Sequence, residues 1–319
     1  MEATVELRDL HKTFDGHRAV DGVTLTVPRG TVFGLLGPNG AGKTTTIRML
    51  MDILGPDRGE VRLFGHPRSR ADLDRVGYLP EERGLYRKMT VRDQLVFLGE
   101  LHGLPRKVVA PRADDWLERM GLADRAKSKV EELSKGMAQK IQLAGTLLHE
   151  PELLVLDEPF SGLDPVNQVL FKDMLAQLVA AGRTLLLSTH VMEQAEKLCD
   201  HIALIVRGRV VLEGQLAGIK RRMGANSFWL RAEGDLERLR GMPGVLDVAA
   251  ANGALRLLCD EGMTGARLLR ESLDFLTVEE LRSAEPTLEE IFVKAVNEVH
   301  DQELVHDQEL AHDEDSAHA

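Results

Sequence analysis

Cysteine is nearly absent: two occur in 319 residues, Cys199 and Cys259, with no second cysteine or histidine near either at metal-ligand spacing. Buried thiols are therefore expected rather than a disulfide or a zinc site. No stretch approaches the roughly 20 consecutive apolar residues that span a bilayer. Where a signal peptide needs an apolar core, residues 1–10 carry Glu2, Glu6, Arg8 and Asp9. A chain made and kept in the cytosol is the expectation. A basic surplus is missing too. The formal net charge is −11, but the last 22 residues hold eight carboxylates and no Lys or Arg, which leaves −3 for the rest. That balance does not suit a nucleic-acid binder, although a local basic face is compatible with it.

What is present is enough apolar matter, 43% of residues, for one large or two medium domains. Its most informative stretch is GPNGAGKT, comprising Gly37, Pro38, Asn39, Gly40, Ala41, Gly42, Lys43 and Thr44, with Thr45 following. It matches G-x-x-x-x-G-K-[ST]. The apolar run Thr31 to Leu36 before it reads as a buried strand, and Thr45 to Leu54 after it has helical apolar spacing. A helix start leaves N–H groups unpaired and carries partial positive charge, so a glycine-rich entry lets the backbone wrap nucleotide phosphates. Lys43 would reach the β and γ phosphates, and the Thr44 hydroxyl suits Mg²⁺, a hard cation that takes oxygen donors.

Before this loop, Thr4 to Leu7 and Val23 to Val27 read as strands around an Asp15-Gly16 turn. From about 90 to 150 the pattern becomes helical, with Thr90 as a cap and apolar positions at Val91, Leu95 and Leu98, then Trp116, Leu117 and Met120, then Ile141, Ala144, Leu147 and Leu148. Buried strands at Leu153–Leu156 and Thr184–Ser188 alternate with helices at Val166–Val179 and Val191–Cys199, the order that builds a parallel sheet. Beyond the basic link Lys220-Arg221-Arg222 a second unit begins near Met223. It reads as strand 227–231, helix 235–240, strands 245–250 and 255–258, helix 266–273, strand 275–280 and helix 288–296, a small α+β sandwich. The tail repeats HDQEL at six-residue spacing, which turns a helix by about 240° per repeat. Its histidines cannot share one helical face, and a solvated tail is expected over 299–319.

Two acids, Asp157 and Glu158, end the apolar run LLVL, where open α/β sheets place ligands. Asp157 is suited to holding Mg²⁺ through water, and Glu158 to orienting or deprotonating a water that attacks the γ-phosphoryl group. In LSKGM, Ser134 is placed as a helix N-cap and Gly136 allows close backbone approach.

GPNGAGKT, LSKGM, LLVLDEP, Ser161-Gly162-Leu163-Asp164 and His190, in this order, resemble the ATP-binding subunits of ABC transporters over residues 1 to about 220. The resemblance implies a P-loop ABC ATPase of α/β class, with N-terminal antiparallel strands, a helical insertion and a C-terminal α+β domain. It divides the chain into 1–222, 223–298 and the tail. It further implies MgATP sandwiched between two copies arranged head to tail, with Ser134 and Gly136 contacting the ATP bound by the partner copy. Asp164 would then lie at the dimer junction, His190 on the γ-phosphate, and Phe14 stacked on adenine. A core phenylalanine and a surface histidine are the plain alternatives for Phe14 and His190. Met137 and Lys135 depart from the usual Gln and Gly, and Glu81 stands where a loop glutamine touches Mg²⁺ and the membrane partner. An acid there accepts hydrogen bonds but cannot donate them. The stretches 81–86 and Pro286 to Phe292 resemble the sodium-extrusion and drug-resistance exporters. This implies an ATPase at the cytoplasmic face driving a separate membrane permease, with no nucleic-acid partner. A soluble ABC ATPase working on nucleic acid or ribosomes is the alternative, but those relatives carry two cassettes or a long coiled coil. This chain has one phosphate loop and no heptad run.

Overall fold

A computed structural model describes residues 2–82, 84–223, 227–251, 253–260 and 262–297; the tail read as solvated, 299–319, lies outside them. Contacts group the chain into two units, one ending at Glu213 and one beginning at Gly214. The first unit opens with a hairpin, β1 (Ala3–Phe14) and β2 (His17–Pro28), turned at Asp15-Gly16, and continues into β3 (Val32–Leu36) and α1 (Lys43–Leu50). Next come β4 (Arg58–Leu63), β5 (His66–Pro67), a short α2 (Arg70–Leu73) and β6 (Val76–Leu79). The helical insertion is α3 (Val91–Leu101), α4 (Arg106–Arg119) and α5 (Lys135–Leu147). Alternation then resumes with β7 (Leu153–Asp157), α6 (Pro165–Ala180), β8 (Thr184–Thr189), α7 (Met192–Leu198), β9 (His201–Val206) and β10 (Arg209–Gln215).

Two sheets form this unit. One is antiparallel, in the order β2-β1-β4-β5, and the other runs β10-β9-β3-β8-β7-β6, with β9/β3, β3/β8, β8/β7 and β7/β6 parallel. Every residue of β3, β7 and β8 is buried. Strands covered on both faces carry unbroken apolar runs instead of alternation, which is why these three stand out in the sequence. The antiparallel sheet does alternate: Val5, Leu7, Val23, Leu25 and Val27 point inward and pack with Phe33, Leu35, Ile47 and Leu50. Because β3, β8 and β7 are parallel neighbours, their C-terminal ends leave the sheet along one edge. Gly37, His190 and Glu158 therefore gather there from distant points of the chain.

The link Lys220-Arg221-Arg222 is not a linker; it is the last turn of a helix, α8 (Leu216–Met223). The second unit continues with β11 (Ser227–Gly234), α9 (Glu237–Arg240), β12 (Val245–Ala251), β13 (Ala254–Cys259), α10 (Gly265–Ser272), β14 (Leu276–Ser283) and α11 (288–297). Its sheet order, β12-β13-β11-β14, sets β13 between β11 and β12. This is the split βαβ arrangement of ferredoxin-like domains. Phe228, Leu230, Leu257 and Leu276 of the sheet pack with Leu239 of α9 and Leu268 of α10. A capping box starts α11: Thr287 N–H donates to Glu290 Oε2 at 2.9 Å, and Glu290 N–H to Thr287 Oγ1 at 3.2 Å. The two carboxylate oxygens of Glu290 also accept from the Arg256 guanidinium of β13, which ties the helix to the sheet and holds the Glu290 carboxyl below its usual range.

Candidate active site

The turn from β3 into α1 is built on glycines that no other residue could replace. Gly37 has φ +151°, and a Cβ there would lie 2.2 Å from the carbonyl oxygen of Ile205. Gly42, the N-cap of α1, has φ +105°, and its Cβ would lie 2.4 Å from Ala19 O. The loop thus closes tightly against β9 and the β2 hairpin while its N–H groups start the helix. That helix begins at Lys43, two positions before the start read from apolar spacing, because the motif's own Lys-Thr pair forms its first turn. Lys43 is 6% exposed, and its ammonium donates to Gly37 O at 2.8 Å and Pro38 O at 3.1 Å. It also lies 3.5 Å from Glu158 Oε1.

The end of β7 supplies the acids. Asp157 Oδ1 accepts from Ser188 Oγ at 2.6 Å and from Thr44 Oγ1 at 3.3 Å. Its Oδ2 is buried without a hydrogen-bond partner among the described residues. Burial first, and the Asp157 charge second, push the phenol of neighbouring Tyr78 up to about 12. Glu158, 8% exposed, holds φ +48°, a left-handed conformation uncommon for a residue with a side chain. Its N–H donates to Ser188 Oγ at 2.9 Å, so one serine bridges both acids. Ser188 is a residue of this site that sequence reasoning passed over, its signal being a lone hydroxyl at the end of an apolar strand. His190, which is half-exposed, brings Nδ1 to 3.0 Å from Glu158 Oε1.

A cleft of about 490 Å³ opens over these groups. Its wall includes residues 39–45, Ala19, Glu81, Glu158, Ser161 and His190. Of the other sequence-read residues, Gly37, Pro38 and Asp157 lie behind this wall, bonded to Lys43 and Thr44, while Phe14, Ser134, Gly136 and Asp164 are not part of it. Phe14 ends β1 beside the hairpin turn and is 41% exposed, so it is not a core residue; Lys12 Nζ stands 5.7 Å from its ring centroid. Ser134 caps α5, its Oγ accepting from Met137 N–H at 3.2 Å. Asp164 caps α6, where Asn167 donates to it from its backbone at 3.0 Å and its side chain at 2.5 Å. A Cβ on Gly136 would lie 3.0 Å from the same Asn167 side chain, so the LSKGM turn and the Asp164 turn adjoin each other.

The residues fit a hard divalent cation: a threonine hydroxyl and a carboxylate 3.3 Å apart, with a second carboxylate oxygen buried and unsatisfied. They equally fit the chemistry of an NTPase, since an ammonium for phosphate oxygens and a carboxylate for an attacking water face one cleft.

Comparison with known proteins agrees with this geometry. Residues 20–161 match the model of the ABC transporter family, and residues 214–296 match that of the ATP-binding protein DrrA1-3-like, C-terminal domain. An uncharacterized ABC transporter ATP-binding protein of Bacillus subtilis, YhaQ, is 42% identical over 91% of this chain and 97% of its own length. The daunorubicin/doxorubicin resistance ATP-binding protein DrrA of Streptomyces peucetius is 36% identical over 91% of each. Among solved structures, an ATP-binding subunit of an ABC transporter superposes with a TM-score of 0.64 at 32% identity, covering 69% of this chain and 93% of that one. Phosphate loop, paired acids and sheet order, together with relatives matched over nearly their whole length, place this chain in the family of ABC transporter ATP-binding proteins, the ATPases that power transport.

Proposed function

We propose that this chain is the energy-supplying subunit of an exporter. Two copies clasp MgATP head to tail at the cytoplasmic face and drive a separate integral membrane permease. The observation that carries the catalytic part is the meeting of Lys43 and His190 on one oxygen of Glu158, at 3.5 and 3.0 Å. For nucleotide to bind, Lys43 exchanges the carbonyls of Gly37 and Pro38 for phosphate oxygens, which also frees Glu158. Glu158 then takes the proton of the attacking water, while His190 keeps its carboxylate aimed and meets the γ-phosphate. Thr44 and Asp157 would hold Mg²⁺, with Glu81 nearby in the wall. The ion, when bound, supplies neutralising charge to the phosphate oxygens. Phe14 serves as the adenine platform, and Ser134 and Gly136 serve the ATP of the opposed copy, with Asp164 at the junction.

Two things support the permease and the direction of transport: relatives named for drug resistance and the DrrA-like match over 214–296. No helix among the described residues is long and apolar enough to cross a membrane. The alternative of a soluble ABC ATPase acting on nucleic acid or ribosomes gains no support from any of these relatives. Affinity capture of the tagged chain from membranes of its own cells tests the reading. It should bring down a polytopic membrane protein that stimulates ATP turnover; recovery of ribosomes or nucleic acid in its place would overturn it.

Glu81 gives a narrower test. It lines the same cleft as Thr44 and Glu158, where a glutamine would bring a donor as well as an acceptor. Glu81→Gln should retain ATP binding, shift the Mg²⁺ dependence of hydrolysis, and impair stimulation by the membrane subunit more than basal turnover. Superimposable Mg²⁺ titrations with and without the partner would make Glu81 a plain loop acid.

A further inference from the structure

Three polar side chains of α5, Gln139, Gln142 and Thr146, are spaced i, i+3, i+7 and are 4, 6 and 7% exposed. That spacing sets them along one face of the helix, where a core-facing stripe is normally aliphatic. The two glutamines donate to backbone carbonyls outside the helix, whereas the single Thr146 hydroxyl proton goes to Gln142 O within it, at 2.9 Å. Gln142 Nε2 reaches Pro80 O at 3.3 Å and Glu82 O at 3.2 Å, in the loop that carries Glu81, while Thr146 Oγ1 only lies near Tyr78 O of β6, at 3.4 Å. Gln139 Nε2 reaches Pro159 O at 3.3 Å, one residue beyond Glu158. Both neighbours of the Gln142 amide are carbonyls, so its NH₂ must face them. Its Oε1 is left buried without a partner among the described residues. Retaining an amide with one unsatisfied atom, whose NH₂ serves two carbonyls of one loop, points to restraint of that loop rather than to packing alone.

The turn after β7 offers that reason. Glu158 holds φ +48°, and a side-chain-bearing residue stays in that region only when its surroundings over-determine it. The restraints are the bond from Glu158 N–H to Ser188 Oγ, the bond from Ser161 N–H to Glu158 O at 3.0 Å, and Gln139 on the next carbonyl. Gln142 restrains the Glu81 loop in the same way. The N-cap of this same helix is Ser134.

We propose that Gln139 and Gln142 are positioning residues that fasten the signature helix to the Glu158 turn and to the Glu81 loop. Through these bonds the Glu158 turn and the Glu81 loop are held against the helix that Ser134 caps. This rests on the proposed roles of Ser134, Glu81 and Glu158.

The test is a pair of double-mutant cycles on the full chain. Gln139→Met should lower kcat about 10–100-fold, the scale of a small misplacement of a catalytic group, with unchanged affinity for a non-hydrolysable ATP analogue. On Glu158→Gln it should lower the residual turnover no further, because it acts through Glu158. Gln142→Met should shift the Mg²⁺ midpoint of hydrolysis in the wild-type background and not on Glu81→Gln. Gln139→Asn, which withdraws the donor by one methylene, gives a milder loss of the same pattern and serves if the methionine variant does not fold. Equal fold-losses in both Glu158 backgrounds, or a loss that tracks the melting temperature alone, would reduce the stripe to ordinary core stabilisation. Full turnover in Glu158→Gln itself would instead overturn the catalytic reading beneath it.

Discussion

Glu158→Gln should bind ATP as wild type does and hydrolyse it about 10²–10⁴-fold more slowly, the usual contribution of a general base. The amide keeps the size of the side chain and can still meet His190, but it cannot take a proton from water. The charge it loses is the one Lys43 faces at 3.5 Å before nucleotide arrives, so the lysine is released to the phosphates rather than hindered. Binding therefore persists while turnover stops, and the stalled protein should accumulate with ATP as a dimer on size exclusion. Phosphate release at near wild-type rate would remove Glu158 from the proton-accepting role.

Lys43→Ala should fail one step earlier, in binding. Hydrogen bonds to a charged group contribute roughly 1.5–3 kcal/mol, which corresponds to a Kd for ATP raised by about 10–100-fold. Removing Lys43, 6% exposed, also leaves Glu158, 8% exposed, as a buried carboxylate with His190 as its remaining close partner, a cost to folding stability separate from the loss in ATP affinity. Titration calorimetry with ATP checks this directly, and an unchanged Kd would contradict the placement of Lys43 on the phosphates. The two variants divide the site: one carboxylate acts on water, one ammonium acts on nucleotide.

What was legible in the chain follows from burial. β3, β7 and β8 are covered on both faces, so their apolar runs stand out, and the residues at their ends could be named as a site before any geometry was known. β4 and β5 were not legible. Only Val61 and Leu63 of Arg58–Leu63 are buried, and His66–Pro67 is two residues long, too little for a period to show. The basic run 220–222 resembled a linker because charge at a helix C-terminus and charge in a loop look alike in sequence. Ser188 and the glutamines of α5 were missed for a related reason: polar side chains ordinarily mark the surface, and only the packed structure shows these ones buried against backbone carbonyls and acids. The contact between Lys43 and Glu158 depends on β8 lying between β3 and β7, which no local pattern encodes.

The central claim is that each ATP is held by the phosphate loop of one copy and the LSKGM turn of the other. Mixed dimers of Ser134→Arg with Lys43→Ala test it most directly. Ser134→Arg obstructs the opposed site yet leaves its own loop whole, and Lys43→Ala does the reverse. Trapped ATP in the closed dimer should be near zero for either variant alone and should return, to about one site in each mixed dimer, when the two are mixed, because one composite site is then intact. Mixed samples that trap no more ATP than either variant alone would contradict the head-to-tail arrangement.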